Sequence, residues 1–372
     1  MKKFLDCISI VGATPSKFHG TKKYVSTGAV ATTEIDESEV VEVTYEDRPS
    51  RANLSAEAGD ILFAKMQGTR KTLLLDSETE ENIYSTGFYA VRANPEVITT
   101  ECLYYLIDSE LFLAQKDKNC SGATQKAITN GGMAKIEISV PALSEQGILV
   151  NKLKHLTQLI ADKKKQLNLF DEIIKSRFIE MFGDPVTNPL RWAMLPLEKC
   201  LTVLGGYAFK SEEFKTSGVP VLRIGNINTG AFTPTNMVYW SKDDCLTRYQ
   251  VLPGDLVISL TGTVGKDDYG NVCILGDAYP MYYLNQRNAK LILDDELNKH
   301  YLSELLKFSQ IKKKLTGISR GVRQANISNR DILNLVVPIP PIEIQVQFAA
   351  FVEQVDKSKY HGEFTCEMEV AA

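Results

Sequence analysis

Two glycine-flanked polar loops in the C-terminal half of the chain concentrate side chains with recognition chemistry. Ser319-Arg-Gly-Val-Arg-Gln-Ala-Asn326 gathers Arg320, Arg323, Gln324 and Asn326; arginine can pair with the O6/N7 edge of guanine, and Gln or Asn with the edge of adenine. Thr261-Gly-Thr-Val-Gly-Lys266 offers Thr261, Thr263, Lys266 and backbone N–H groups that suit phosphate oxygens. Lys210, Arg223 and Arg287 are further cationic candidates. The N-terminal half carries a parallel set: Lys65, Gln67, Arg70 and Lys71, then Thr124, Gln125 and Lys126, with Lys17 and Lys22 nearby. Solvated loops share this composition, and Gln125 and Gln324, present in both halves, read better as caps of backbone turns. Arg320 and Arg323 are not repeated in the first half, which makes them the sharper candidates for discrimination.

Catalysis finds no comparable footing. Adenine methyl transfer calls for an N/D-P-P-Y/F tetrapeptide, but the two Asn-Pro pairs continue as Asn94-Pro95-Glu96 and Asn188-Pro189-Leu190. Gly265-Lys266 is followed by Asp267, and position 260 is Leu, so there is no Walker A loop. Glu213-Phe214-Lys215 is an E-x-K tripeptide of the nuclease type, common by chance and not repeated. The seven cysteines are scattered with no C-x-x-C pair, and the four histidines are dispersed, so neither a metal site nor a cofactor is expected. A reducing, cytoplasmic setting follows from the free thiols. No apolar run reaches the length of a membrane span, and the charged, glycine-broken N-terminus is not a signal peptide. The net charge of −4 argues mildly against a protein that coats nucleic acid without specificity.

The two sets of loops belong to a tandem repeat. GATQKAITNGGMAKIEISVPALSEQ at 122–146 aligns without gaps on GVRQANISNRDILNLVVPIPPIEIQ at 321–345, an offset of 199. GDILFAKMQGTRK at 59–71 aligns on GDLVISLTGTVGK at 254–266, an offset of 195, so a loop between the blocks has changed length. In each copy the pattern predicts a β-rich stretch, one short helix (100–115 and 296–315), the polar loop, and a strand ending at proline before Pro141 or Pro338. With 372 residues, 44% hydrophobic and 24% charged, the chain can bury two cores. The fold class is α+β.

A helix follows each copy. From Ser144 to Phe182 an apolar series at 149, 153, 156, 160, 167, 170, 174, 178 and 181 steps by threes and fours apart from one gap at Lys163, which predicts a coiled-coil helix roughly 58 Å long. Leu153, Leu156, Ile160, Leu167, Phe170, Ile174, Phe178 and Met181 are its docking candidates, for the second helix or for a partner. Lys163-Lys164-Lys165 reads as a solvated face. The second helix starts at Ile342 and keeps Phe348, Val352 and Val355 in register with the first; the seam fails near 357, predicting a shortened helix. Charge at Ile174 or Phe178 is expected to disrupt assembly without unfolding either domain.

Two β-rich domains, each closed by G-x-x-Q-x-x-I-S/T-N, a P-x-x-x-x-Q segment and a long helix, resemble the specificity subunits of type I restriction-modification systems. Lys175-Ser-Arg-Phe-Ile-Glu-Met-Phe-Gly-Asp184 is the most specific match, joined by Gly206-Tyr-Ala-Phe-Lys-Ser211 and Val219 to Ile227; the likeness covers about residues 1–357. It implies target recognition domains at 1–143 and 185–341, a conserved spacer helix at 144–184, and a shortened distal helix at 342–372. It also implies a non-catalytic subunit that reads a bipartite double-stranded DNA target, one domain per half-site. Partners would be two methyltransferase subunits and, through them, restriction subunits. Half-sites about one DNA turn apart, roughly 34–36 Å, suit two readers on a rod. The shortened distal helix leaves room for an orphan or truncated subunit that supports methylation only.

Overall fold

The computed structural model describes residues 1–263, 268–317 and 324–371. The chain divides into two compact units, Met1–Ile160 and Ala161–Ala372.

In the first unit, four antiparallel strands lie in the order Ile8–Val11, Phe88–Ala93, Ile61–Ala64, Thr72–Leu74. A second sheet has the order Val41–Val43, Lys22–Val25, Ile83–Ser85, Ala52–Leu54, with one parallel pair in its middle. Ile61–Ala64 is buried at every position, as expected of a central strand, and carries Phe63 into the core with Phe4 and Phe112. The helices are α1 (Thr100–Ile107), α2 (Glu110–Lys118) and α3 (Asn130–Met133), and α4 (Leu143–Phe182) begins in this unit and ends in the second.

The second unit repeats the plan strand for strand. Leu201–Gly205, Asn288–Leu293, Leu256–Ser259 and Val272–Ile274 form one sheet; Val238–Trp240, Val219–Leu222, Tyr282–Leu284 and Gln250–Val251 form the other, again with one parallel pair. Its helices are α5 (Lys299–Lys307), α6 (Ser309–Thr316), α7 (Asn329–Leu333) and α8 (Ile342–Ala371).

Several repeated residues hold this shared frame. Gly59 and Gly254 sit at φ +87° and +86°, where side chains are strained, and the next residue, Asp60 or Asp255, accepts the N–H of Glu57 or Leu252. Ile128 and Ile327 are core residues, while Thr129 and Ser328 cap α3 and α7. Gln146 and Gln345 are fully buried: each accepts the N–H of an N-cap residue, Thr99 or Asn298, and donates to two carbonyls, of Val97 and Pro141 or of Glu296 and Pro340. Even a polar contact recurs with altered chemistry, as the Glu101–Lys154 ion pair (3.7 Å) in the first unit and a contact of Glu353 with the imidazole of His300 (3.6 Å) in the second.

Two expectations need correction. The single short helix of each copy is two, because Ser109 accepts the N–H of Phe112 and starts α2 afresh, and α6 restarts after the extended Phe308. The strand of the second copy, Val336–Ile339, runs through Pro338; it belongs to a two-stranded sheet with Ala193–Pro196, where a missing N–H is tolerated at an edge. The distal helix α8 runs from Ile342 to Ala371, 30 residues against the 40 of α4.

The apolar seam of α4 also behaves differently from a free docking face. Ile174, Phe178 and Phe182 are buried in the core of the second unit, with Phe170 and Met181 packed against it, as are Phe348, Val352 and Val355 of α8. The two helices run antiparallel there: Phe182 meets Phe348 at 5.4 Å, and Asp171 meets Lys359 at 2.7 Å. Leu153, Leu156 and Leu167 are half-buried and Ile160 is exposed. A charge at Ile174 or Phe178 therefore strikes a domain core, and the expectation of disrupted assembly without unfolding is withdrawn.

His300, on α5, is nearly buried, and burial together with Lys299 pushes its pKa below the usual imidazole value despite Glu353. In the folded state it resists protonation, while the unfolded chain takes up a proton near pH 6.5. Its contribution to stability is full above that pH and falls as pH drops below it. Thermal unfolding of the second unit, followed by circular dichroism, should shift downward between pH 7.5 and about 5.5; in His300→Gln that part of the shift should vanish.

Candidate nucleic-acid interface

The two loops singled out in the second copy meet as the arms of one ribbon. Thr261–Thr263 pairs antiparallel with Gln324–Asn326, in the register Thr261 to Asn326 and Thr263 to Gln324. Strand alternation puts Thr261, Thr263 and Asn326 on the face opposite Ala325, which is fully buried. Asn326 and Thr263 are exposed and Thr261 is half-buried. Thr263 spends its hydroxyl and its N–H on Asp268, so a carboxylate occupies the place suggested for phosphate. Gly262 is tightly packed here, since a Cβ would lie 2.3 Å from Asp268 Oδ1 and 2.8 Å from Tyr269 Cβ. Lys266, Arg320 and Arg323 lie outside the described residues.

The first copy builds the equivalent crossing with different side chains. Met66 bridges Ala127, the Gln67 N–H donates to the Lys126 carbonyl, and the Ile128 N–H donates to the Lys65 carbonyl. Met66 thus stands where the second copy has Thr261, and Ala127 where it has Asn326. Thr124, Gln125 and Lys126 are exposed, and their side chains make no hydrogen bond among the described residues; the expected turn-capping by Gln125 is not seen.

Most other first-copy candidates are occupied within the domain. Arg70 forks onto Asp108 and also pairs with Glu110, both at 2.8 Å. Lys71 Nζ donates to the Thr27 carbonyl, and Lys65 Nζ donates to Thr86 O at 2.9 Å while lying over the Tyr89 ring. Gln67 Nε2 donates to Asp117 O, and the Gly68 N–H to the Asp117 carboxylate. Beneath them Lys116, almost wholly buried, donates to the carbonyls of Ala64, Met66 and Thr69. Burial lowers its pKa, with Asp117 opposing. Lys17 and Lys22 pair with Glu46 and Glu81.

A second cluster in the second copy surrounds an open cavity of about 540 Å³, lined by Arg223 and Arg287 with Phe209, Asn236 and Gln286 among others and without a single carboxylate. Phe209 and Ser211 come from the segment beginning at Gly206, and Arg223 to Asn226 from the segment beginning at Val219, so both characteristic stretches converge here. Gly206 cannot be replaced without displacing backbone, as its Cβ would lie 2.2 Å from Asn285 O. Buried Asn226 accepts the Arg223 N–H and donates to the carbonyls of Thr233 and Thr235, which shapes the rim that carries Asn236. Lys210 is paired with Glu213 at 3.3 Å and is not among the lining residues.

Comparison with known proteins decides what this frame is. The family profile described as "Type I restriction modification DNA specificity domain" matches twice, at residues 10–169 and 189–362, one match per copy. The chain belongs to that family. Relatives within it include the type I restriction enzyme MjaVIII specificity subunit of Methanocaldococcus jannaschii, 27% identical over 244 residues, which is 59% of this chain and 55% of the relative. The EcoKI specificity subunit of Escherichia coli is 26% identical over 188 residues, 46% of this chain and 38% of that one. The alignments thus span about half the length of the curated relatives or less. In fold, the chain is similar to the S subunit of the type I restriction-modification system from M. genitalium (TM-score 0.53, 12% identity, 98% of this chain and 91% of the other). It is likewise similar to a chain from a solved type I restriction-modification complex (TM-score 0.50, 19% identity, 98% and 94% covered).

Sequence reasoning missed Gln286, Asn236 and the aromatic wall of the cavity, and assigned no role to Gln146 or Gln345. The pairing of the two glutamines in the repeat was a usable signal for the latter. No helix among the described residues is long and apolar enough to cross a membrane, and no cluster of His, Cys, Asp and Glu there could hold a metal ion.

Proposed function

We propose that this chain is the DNA-reading subunit of a type I restriction-modification complex and does no chemistry itself. Residues 1–143 and 185–341 each read one half of a bipartite double-stranded target, 144–184 is the spacer, and 342–372 is the shorter distal helix. The observation that carries this reading is the repeat itself: two domains of one topology, both matching a DNA specificity profile, present different side chains on equivalent ribbons. Copies that held the same side chains would read the same sequence twice. Thr124, Gln125 and Lys126 in one copy, and Thr261, Asn326, Arg223 and Arg287 with Lys266, Arg320 and Arg323 in the other, supply contacts to bases and phosphates. The partners are two methyltransferase subunits and, through them, restriction subunits, in the cytoplasm.

The test is co-expression with the adjacent methyltransferase subunit in a host lacking other modification, followed by mapping of methylated bases. The expected result is one split motif with an unread gap. A contiguous motif, or no methylation together with no stable complex, overturns the proposal.

A further inference from the structure

The registers of the two copies allow a residue-by-residue comparison of the turn that enters the longest strand. Val25 pairs with Tyr84 where Leu222 pairs with Leu284, and Ile61 pairs with Val91 where Leu256 pairs with Leu291. Ser85-Thr86-Gly87 therefore occupies the place of Asn285-Gln286-Arg287. The turn is closed by the same device in both: Ser85 Oγ accepts the Gly87 N–H (3.1 Å), and Asn285 Oδ1 accepts the Arg287 N–H (3.2 Å). The same alignment puts Ser26 at the place of Arg223. One backbone thus carries a bare glycine and a small serine in the first copy, and two arginines in the second.

Those arginines are not needed to build the fold, since the first copy forms it without them. Arg287 and Gln286 are exposed on the cavity rim, and their side chains make no hydrogen bond or ion pair among the described residues. Arg223 is anchored by one bond, from Nη2 to the Asn236 carbonyl at 2.7 Å, while its buried Nε has no partner. The cavity lining has no lysine and no carboxylate; amides of Asn236, Asn285 and Gln286 share it with the two guanidinium groups. A guanidinium fork suits a guanine edge as well as a phosphate, and the amides of Asn236 and Gln286 beside it add the donor–acceptor pairs that suit base edges.

We propose that this cavity is where the second domain reads base edges of its half-site, with Arg287 as a specificity-determining residue for guanine and Arg223 as the residue that positions the rim beside it. This rests on the DNA-reading function proposed above.

The test uses the full chain assembled with its methyltransferase subunits, and compares wild type with Arg287→Gly, Arg287→Lys and Arg223→Ser. Arg287→Gly and Arg223→Ser install the residues that the first copy already accommodates, so circular dichroism and the unfolding temperature should be unchanged. Arg287→Gly should relax one position of one half-site, with discrimination against the wrong base falling about 5- to 150-fold while the other half-site stays as it was. Arg287→Lys should restore it only in part, because the flexible ammonium lacks the fixed planar fork of the guanidinium. Arg223→Ser should weaken reading at the same half-site. An equal loss of affinity on all sequences with the motif unchanged would make Arg287 a phosphate contact and overturn the proposal. An unchanged motif and affinity would overturn it too. If the wild-type complex methylates no split motif, the functional reading itself fails, and the two failures are told apart by that first measurement.

Discussion

Phe178→Ala should unfold the second domain at a markedly lower temperature, by roughly 6–20 °C for a loss of about 3–5 kcal/mol in a domain of this size. Phe178 is completely buried and stands at the centre of an aromatic cluster. It stacks on Tyr301 at 5.3 Å and 14°, and touches Phe182, Phe308 and Phe348 at 4.9 to 5.5 Å. Truncation leaves a cavity that four rings cannot collapse into without leaving their own contacts. Phe178→Glu should be worse, since it adds an uncompensated charge in the same place. Leu169→Glu is the control: that side chain is 48% exposed on the same helix, and its change should leave calorimetric unfolding where it was. Equal effects at 169 and 178 would show that the helix, and not the core, sets the outcome.

Gln345→Ala should cost the second domain about 3 kcal/mol or more, and Gln146→Ala should do the same to the first. Each glutamine closes three hydrogen bonds, and in each copy truncation strands one N–H at a helix N-cap and two carbonyls. Gln345→Glu gives a sharper readout because it keeps the shape. At neutral pH its carboxylate would face the carbonyls of Glu296 and Pro340, which it cannot satisfy, so the loss should match or exceed that of alanine. Protonation restores one donor, so the folded-state carboxyl pKa lies above the unfolded one, and the variant should regain stability as pH falls through that raised value. Urea titrations at pH 7 and pH 5 would settle it; an alanine-sized loss that ignores pH would mean that packing, not hydrogen bonding, is what the glutamine supplies.

Much of the fold was legible because it is written twice. Glycines at positive φ, core isoleucines, N-cap hydroxyls and buried glutamines repeat at fixed offsets, since each answers a local demand of the backbone that both copies share. The offset is 197 at Val25 and Leu222, 195 at Ile61 and Leu256, and 200 at Tyr84 and Leu284, so the copies differ in length in several loops, the one after Ile61–Ala64 and Leu256–Ser259 among them. The helix α4 was legible from period and length. What its seam packs against was not: Leu149 and Phe348 hold equivalent positions, yet Leu149 is 38% exposed and Phe348 is buried, because Phe178 and Phe182 cover only the latter.

The site divides along the same line. Residue types announced recognition chemistry in both polar loops, and the resemblance to specificity subunits named its purpose. Composition could not show which cations are already spent. Arg70 and Lys65 look as available as Arg287 in the sequence, but the first two are bound by carboxylates and carbonyls that lie far away along the chain. By itself, then, the sequence determined the duplication, the α+β class, the long helix and the family, all of which rest on local pattern and spacing. Only the tertiary structure decided which helix face is core, which loops form one ribbon, and that Arg223 and Arg287 share a cavity, because contacts between distant segments depend on how the strands register.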